Sequence, residues 1–490
     1  MSAIANLFTS TLAGIATAQS NSPFQQCVKK ALSHDDSLYS FPQDILYQVQ
    51  DVKIYNLDYP VIPAAVVYPK TTQQTSDVVV CAREAGIPIQ ARSGGHSYCN
   101  YGRGGENGYL SVDMKNRKEF TYNHQDHTIT FGPGNRLQDL TNKMKPFGRT
   151  MAYGPSGHIG SGGHMTIGGI GVLGRQLGLG VDQVVEAECV LSNGTVVMTS
   201  ATSSSDLFWA IRGAGFSFAI VTRFTMRTAP APGDIVQFSY NITTGNAKAL
   251  ASTFRAWQDF VAQPHLTRRF GCTLSLFDKT LVFGGTYFGP RGDFNQLNLR
   301  RVLPGGDSKG LNVQSSVATK AFKDVESFAL DAFGGIPAHF YAKSLKTTNR
   351  TLLSERAIDA MFNYIETADK GPVPWFITWD LEGGAIADVP QTSTAYWNRD
   401  AVYFMQSYVI SPVGKTPDTS KRFLSGLNAV VQRETGIDDS AYPGYVDNQL
   451  QHPQKAYWGG NLERLERVKA MYDPENVIRN PQSVRPARGA

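Results

Sequence analysis

Arg92-Ser-Gly-Gly-His-Ser-Tyr-Cys-Asn-Tyr-Gly102 decides how the rest of the chain is read. Two adjacent glycines free backbone N–H groups to point at one centre, which builds an anion cradle without lysines and suits a phosphate-bearing cofactor. His96 follows directly, and its imidazole is the side chain of this stretch able to act as nucleophile, ligand or base near pH 7. A turn histidine satisfied by backbone is the bland alternative, because Gly-Gly-His is a short string. A second glycine-rich stretch, Gly154 to Gly174, is expected to face the first. It contains Gly169-Ile-Gly-Val-Leu-Gly174, a match to G-x-G-x-x-G. The polar run before it, Gly154-Pro-Ser-Gly-His-Ile-Gly-Ser-Gly-Gly-His-Met165, is unsuited to the buried apolar strand that a nicotinamide-binding turn requires. Glycines that let backbone approach a flat ligand account for the whole stretch rather than for three positions.

Working outward, Ala64 to Tyr68 reads as a strand, Thr72 to Ala85 as a helix stopped by Gly86 and Pro88, and Ile89 to Ser93 as the strand that delivers the chain into the cradle. Strands follow at Tyr109 to Met114 and His127 to Gly132, then a helix from Leu137 to about Lys145, broken by Pro146. Val184 to Leu191 and Thr195 to Thr199 predict a hairpin around Asn193-Gly194. The seam Thr228-Ala-Pro-Ala-Pro-Gly233 marks a domain boundary. Beyond it, strands at Ile235 to Tyr240, Cys272 to Phe277, Leu281 to Tyr287, Trp375 to Leu381 and Val402 to Val409 alternate with helices at Ala247 to Val261, Glu355 to Thr367 and Ser420 to Glu434. That texture predicts one large, mainly antiparallel sheet with helices on one face. The tail turns helical again at Leu462 to Met471.

Composition narrows the function. A chain of 490 residues splits into at least two domains, and a net charge of +5 without basic runs speaks against nucleic acid. No apolar stretch reaches the ~18 residues needed to span a bilayer, so no membrane partner is expected. Five cysteines without a Cys-x-x-Cys pair indicate neither a disulfide scaffold nor a metal site. Residues 1–18 are mildly apolar and end in Ala16-Thr17-Ala18, a small-x-small pattern that reads as a signal peptide, although Lys29 is the first cation. Secretion is the expected localisation, with sequons at Asn193, Asn241 and Asn349 open to glycosylation.

Five collinear motifs then carry a resemblance: Arg92 to Tyr98, Gly154 to Gly174, Asp206-Leu-Phe-Trp-Ala-Ile-Arg-Gly213, Trp379-Asp-x-x-Gly-Gly384 and Tyr457-Trp-Gly-Gly-Asn461. Together the chain resembles the berberine-bridge-enzyme-like branch of the vanillyl-alcohol-oxidase flavoproteins, and within it the fungal oligosaccharide oxidases. The resemblance implies an α+β fold: an FAD-binding domain of the vanillyl-alcohol-oxidase (PCMH) type over 19–230, a substrate domain with a large antiparallel sheet flanked by helices over 231–440, and a C-terminal segment, 441–490, returning to the first domain. It implies FAD attached covalently through His96, with Ser93, Gly94, Gly95, Ser97, Ile159, Gly162, Gly163, His164, Ile220 and Asn461 around it. Where relatives read Gly-Thr-Cys-Pro and add a cysteinyl bond, this chain reads Gly154-Pro-Ser-Gly157, so Ser156 holds the cysteine position and one covalent link is expected.

The same resemblance casts Tyr445 as the base and Asp380 as the acceptor that orients it, in a CH–OH oxidation by hydride transfer. Tyr98 and Gln406 match substrate-pocket residues, whereas Thr378 and Ser275 stand where relatives carry longer polar groups. The substrate is therefore a reducing-end oligosaccharide or, alternatively, a secondary metabolite such as a polyketide or alkaloid in a tailoring pathway. The electron acceptor is oxygen or a quinone, with Ile159 at the position that controls oxygen access. The disulfide implied by the resemblance is Cys27–Cys81.

Overall fold

The computed structural model describes residues 22–302, 312–322, 334–438 and 440–487. The 1–18 segment read as a signal peptide lies outside the described residues. Among them, no helix is long and apolar enough to cross a membrane.

Strands β1 (Tyr39–Ser40), β2 (Ala65–Val67), β3 (Ile89–Arg92) and β4 (Leu110–Asp113) form a sheet in the order β1-β2-β4-β3, with β2, β4 and β3 parallel. Ala65, Val66 and Val67 are all buried, as expected of a strand covered on both faces. The crossover between β2 and β3 is the helix Thr72–Glu84, whose N-cap is Thr71, its side chain accepting from the Gln74 N–H. The sequence offers Thr72 as the cap, one residue later than the Thr71 that the structure uses. The Cys27–Cys81 disulfide ties it to the helix Pro23–Ala31, with Cα atoms 5.6 Å apart.

Strands β5 (Phe120–Tyr122), β6 (Thr128–Phe131), β7 (Arg149–Thr150), β8 (Val184–Val190), β9 (Val196–Ser200), β10 (Ile220–Arg227) and β11 (Ala229–Pro230) come next. Here β7 pairs with β11 as a ribbon, and the others form an antiparallel sheet in the order β5-β6-β10-β8-β9. Its core includes the helix Ser205–Ala214 through Leu207, Phe208, Trp209 and Ile211, together with Trp458, Leu465 and Val468 of the tail. The tail is anchored by Lys469, fully buried, whose Nζ donates to Asp473, to the Ile478 carbonyl at 2.7 Å and to the Ser217 carbonyl at 2.5 Å.

The third sheet has seven antiparallel strands: β12 (Asp234–Thr243), β13 (Phe270–Phe277), β14 (Thr280–Tyr287), β15 (Asn312–Ala321), β16 (His339–Thr348), β17 (Trp375–Leu381) and β18 (Ala401–Ser411), in the order β15-β12-β14-β13-β17-β18-β16. Helices Ala247–Val261 and Glu355–Thr367 cover one face through Phe254, Trp257, Met361 and Phe362, and Asp418–Thr435 joins through Leu427 and Val431. Two of these strands, β15 and β16, were not anticipated. β15 is an edge strand of mostly exposed small and polar residues, so it lacks an alternating apolar face. β16 carries two lysines: Lys346 is buried and Lys343 half-buried, and their ammonium groups reach Asp400 at 3.0 Å and Asp447 at 2.5 Å. The other face of β13, β17 and β18 looks toward the glycine loops.

Candidate active site

β3 ends at Arg92, whose Nη1 donates to Asp113 on β4 at 2.7 Å, while the buried Arg103 donates to the same Oδ2 at 3.0 Å. Both ends of the 93–102 loop are thereby clamped to the parallel sheet. The two glycine stretches meet backbone to backbone: a Cβ at Gly94 would lie 2.3 Å from the Gly160 nitrogen, and one at Gly160 would lie 1.9 Å from the Gly94 nitrogen. Gly95 has φ +75°, a conformation that glycine adopts without penalty. Ser93 bridges the stretches, accepting from the Gly162 N–H at 3.2 Å and donating to the Pro133 carbonyl.

Between these loops, the face of the third sheet and the 442–446 turn lies a cavity of about 610 Å³. His96, Ser97, Tyr98, Ser156, Ile159, Gly163 and His164 line its loop side, with Ser93, Gly94 and Gly95. His96 Nε2 is 2.6 Å from the Gly334 carbonyl oxygen, and its ring lies against Tyr55 at 4.4 Å. A carbonyl only accepts, so Nε2 carries a proton. Ser156 is buried, its Oγ accepting from the His158 N–H at 3.4 Å. His164, on the helix Ser161–Ile167, is buried with no hydrogen-bond partner for Nε2 among the described residues, and burial depresses its pKa to about 4, so the ring is neutral near pH 7.

On the sheet side, Thr273, Thr378, Asp380 and Gln406 come together because β13, β17 and β18 are in register, with Thr273 opposite Asp380 and Thr378 opposite Gln406. Asp380 accepts three hydrogen bonds: from Thr273 at 2.9 Å on Oδ1, and from Gln406 Nε2 at 2.9 Å and Tyr445 Oη at 3.3 Å on Oδ2. Desolvation raises its pKa above the ordinary 3.8 against the pull of those donors. Burial first, then the charge of Asp380, holds the Tyr445 phenol well above its ordinary 10. The other end of the Gln406 amide accepts from Tyr408, and Tyr98 hydrogen-bonds the Tyr408 hydroxyl. Since Tyr408 spends its proton on Gln406, Tyr98 is the donor, and the chain runs Tyr98 to Tyr408 to Gln406 to Asp380. Tyr98 and Tyr445 stack at 6.4 Å with rings 11° apart.

Four residues expected at the site stand elsewhere. Ser275 is not in the cavity wall; Thr273, two positions away on the same strand face, is, because the period of two carries Ser275 past the rim. Ile220 is fully buried in the core of the parallel sheet. Asn461 is consumed by the carbonyls of Gln391, Thr394 and Ala395 at 2.8 to 3.3 Å, holding that loop. Gly162 meets Ser93 rather than the cavity. Conversely, Tyr55, Phe340, Phe376, Tyr408 and Tyr442 line the cavity without having been singled out. Phe376 and Tyr408 were readable as partners of Thr378 and Gln406 at i−2 and i+2.

The arrangement can therefore hold a planar, phosphate-bearing cofactor against the glycine loops, with an ionisable pair facing it. Residues 63–200 match the family described as FAD binding domain, and residues 441–485 the one described as Berberine and berberine like. The chain is 36% identical to the FAD-linked oxidoreductase sorD of Penicillium rubens, over 96% of this chain and 99% of that one. Its fold is similar to xylooligosaccharide oxidase from Myceliophthora thermophila C1 in complex with xylobiose, with TM-score 0.86, 29% identity and coverage of 95% and 100%. It is also similar to glucooligosaccharide oxidase from Acremonium strictum, with TM-score 0.84, 28% identity and coverage of 95% and 100%, an enzyme described with a 6-S-cysteinyl, 8α-N1-histidyl FAD. The His164 Nε2 without a partner among the described residues and the Gly94–Gly160 contact that leaves no room for a Cβ fit an FAD. The chain belongs to the berberine-bridge-enzyme-like FAD-linked oxidoreductases, and FAD is its cofactor.

Proposed function

We propose that this enzyme oxidises a hydroxyl-bearing carbon of a hydrophobic, partly aromatic or polyketide-type small molecule. Tyr445 and Asp380 act as the proton-accepting pair. His96 holds the FAD covalently through Nδ1, and Ser156 adds no second bond. When bound, the FAD supplies the hydride acceptor. Tyr445, positioned by Asp380, takes the substrate hydroxyl proton as its own proton moves to the carboxylate, so no free phenolate need form. Thr273 and Gln406 fix the carboxylate against rotation.

The observation that carries the substrate reading is that the polar groups facing the cavity are engaged with one another. Gln406 is used at both ends, Tyr98 donates to Tyr408, and the remaining wall includes Ile336, Phe340, Phe376 and Ile410. Phe376 stacks on Tyr408 at 4.6 Å and 12°, a flat apolar surface suited to a planar substrate. A reducing-end oligosaccharide is the second reading, favoured by the likeness to enzymes named for such substrates. Anaerobic flavin bleaching decides between them: cinnamyl alcohol is expected to bleach the enzyme at lower concentration than cellobiose or xylobiose, and the reverse order overturns the hydrophobic reading. We also place the enzyme in the secretory pathway, supported by the Cys27–Cys81 bridge and by the exposure of Asn193, Asn241 and Asn349.

A further inference from the structure

The cavity-facing residues of β17 follow the strand's period of two: Phe376, Thr378 and Asp380 run from mouth to floor. The ladder continues one step further, because the Glu382 N–H donates to the Val402 carbonyl at 2.8 Å, so Glu382 is the next member of that row. It does not line the substrate cavity. It lines a second cavity of about 730 Å³ on the far side, with Arg175, Gln391, Arg399, Asp400 and Val402. Gly383 and Gly384, at φ +80° and +59°, then turn the chain away.

Glu382 is only 2% exposed, and its Oε2 has no hydrogen-bond partner among the described residues. The neighbouring guanidinium does not pair with it. Arg175 donates to the backbone carbonyls of Glu382, of Phe270 at 2.9 Å and of Leu266 at 3.2 Å. The groups that act on Glu382 electrostatically are Asp380, Arg175, Tyr396, Tyr442 and Tyr445. Around the second cavity Arg399 pairs with Asp182 at 2.6 Å, Asp400 with Lys346 at 3.0 Å and Arg268 with Asp388 at 2.7 Å, while Arg350 lines it without an ion pair among the described residues. Burial, reinforced by Asp380 and opposed by Arg175, pushes the carboxyl well above the usual carboxylate range and so favours its protonated form. A buried acid without a partner is costly unless it has a use.

We propose that Glu382 is the proton outlet of the site, passing the substrate's proton from Asp380 to the second cavity. The step balances. The substrate O–H bond breaks as the hydride leaves the same carbon for the FAD, the Tyr445 O–H bond is replaced, and Asp380 is protonated. Asp380 then gives that proton to Glu382, whose own acid proton departs to solvent in the second cavity. Asp380 returns to the carboxylate and Glu382 stays neutral. Glu382 touches no reacting atom and is a relay residue. The inference rests on the Tyr445–Asp380 reading of the reaction.

The test uses the full-length holoenzyme carrying 13C-labelled glutamate. At pH 7 an isotope-sensitive carboxylic-acid C=O band is expected in the infrared, absent from E382Q, and exchanging in D2O within seconds of mixing. A missing band, a band that persists in E382Q, or exchange over hours as in a sealed core overturns the proposal, whatever the substrate proves to be. In single turnovers with cinnamyl alcohol or cellobiose and a pH-indicator dye, wild-type proton release should accompany flavin bleaching. In E382Q it should lag about 10-fold or more, with E382M as a second variant should E382Q fold poorly. Synchronous release in both variants defeats the relay. Normal bleaching in Tyr445→Phe defeats the base assignment instead, leaving the infrared result to stand alone.

Discussion

The two walls of the active site are built by different physics. The loop wall is backbone against backbone: the Gly94 and Gly160 nitrogens sit where neither chain leaves room for a Cβ, and Ser93 stitches the loops together. The sheet wall is side chain against side chain, with Thr273, Thr378, Asp380 and Gln406 brought into one patch by the register of β13, β17 and β18. A wall made of backbone offers few positions that can vary. A wall made of side chains on rigid strands can exchange them without moving the frame.

That contrast can be broken most directly at the loops. Gly160→Ala places a methyl 1.9 Å from the Gly94 nitrogen, and purified protein is expected to carry almost no flavin. His96→Ala, by contrast, should bind FAD but release it on acid precipitation. Wild-type flavin content in Gly160→Ala means the loop wall is softer than its backbone packing indicates.

On the sheet wall, Tyr445→Phe keeps the ring's stacking on Tyr98 and removes the hydroxyl proposed as proton acceptor, so flavin reduction should slow by about 10² to 10⁴-fold with flavin content unchanged. Asp380→Asn should slow it less and alter the pH dependence. The folded pKa of Asp380 lies above 3.8, so across a window beginning there the folded state binds the extra proton, and the working carboxylate appears only as pH rises through the folded value. Wild-type rate should thus fall on the acid side and the Asn variant should be flat there. An unchanged acid limb in Asp380→Asn assigns it to another group.

Smaller effects sharpen the contrast. Thr378→Gln restores reach across the cavity floor beside Gln406 and should improve KM for cellobiose several-fold without changing flavin content, by roughly the 1 kcal/mol of one added hydrogen bond. A loss of flavin would show that the two walls are not independent. The smallest effect concerns the acceptor. Ile159, half-buried in the loop wall, should permit modest oxygen turnover with quinones working as well or better. Stopped-flow reoxidation checks it, and reduced flavin persisting for minutes in air makes the enzyme a dehydrogenase.

Much of this was legible in residues alone, for reasons local to each. The cradle at Gly94-Gly95 and the helix Thr72–Glu84 declare themselves through backbone conformation and periodicity, which depend on a few neighbours. β15 and β16 did not, because one is a polar edge and the other carries a buried and a half-buried lysine whose partners lie 54 and 104 positions away. Site membership failed the same way. Asn461 has the polarity of a cofactor ligand, but three carbonyls of the 391–395 loop consume it. Thr273 and Ser275 are indistinguishable in sequence, and only the pairing of β13 with β17 places Thr273 beside Asp380.

By itself the sequence determined the family, the flavin, the glycine cradle with His96 after it and serine at position 156, because each is a short string whose chemistry is carried by adjacent atoms. Only the tertiary structure decided which hydroxyl meets Asp380, that Gln406 and Tyr98 are bound to their neighbours, and that Glu382 ends the β17 row between two cavities. Those facts depend on strand register and on groups hundreds of residues apart, and the free energy of a buried polar atom is set by which partner the fold brings within 3 Å of it.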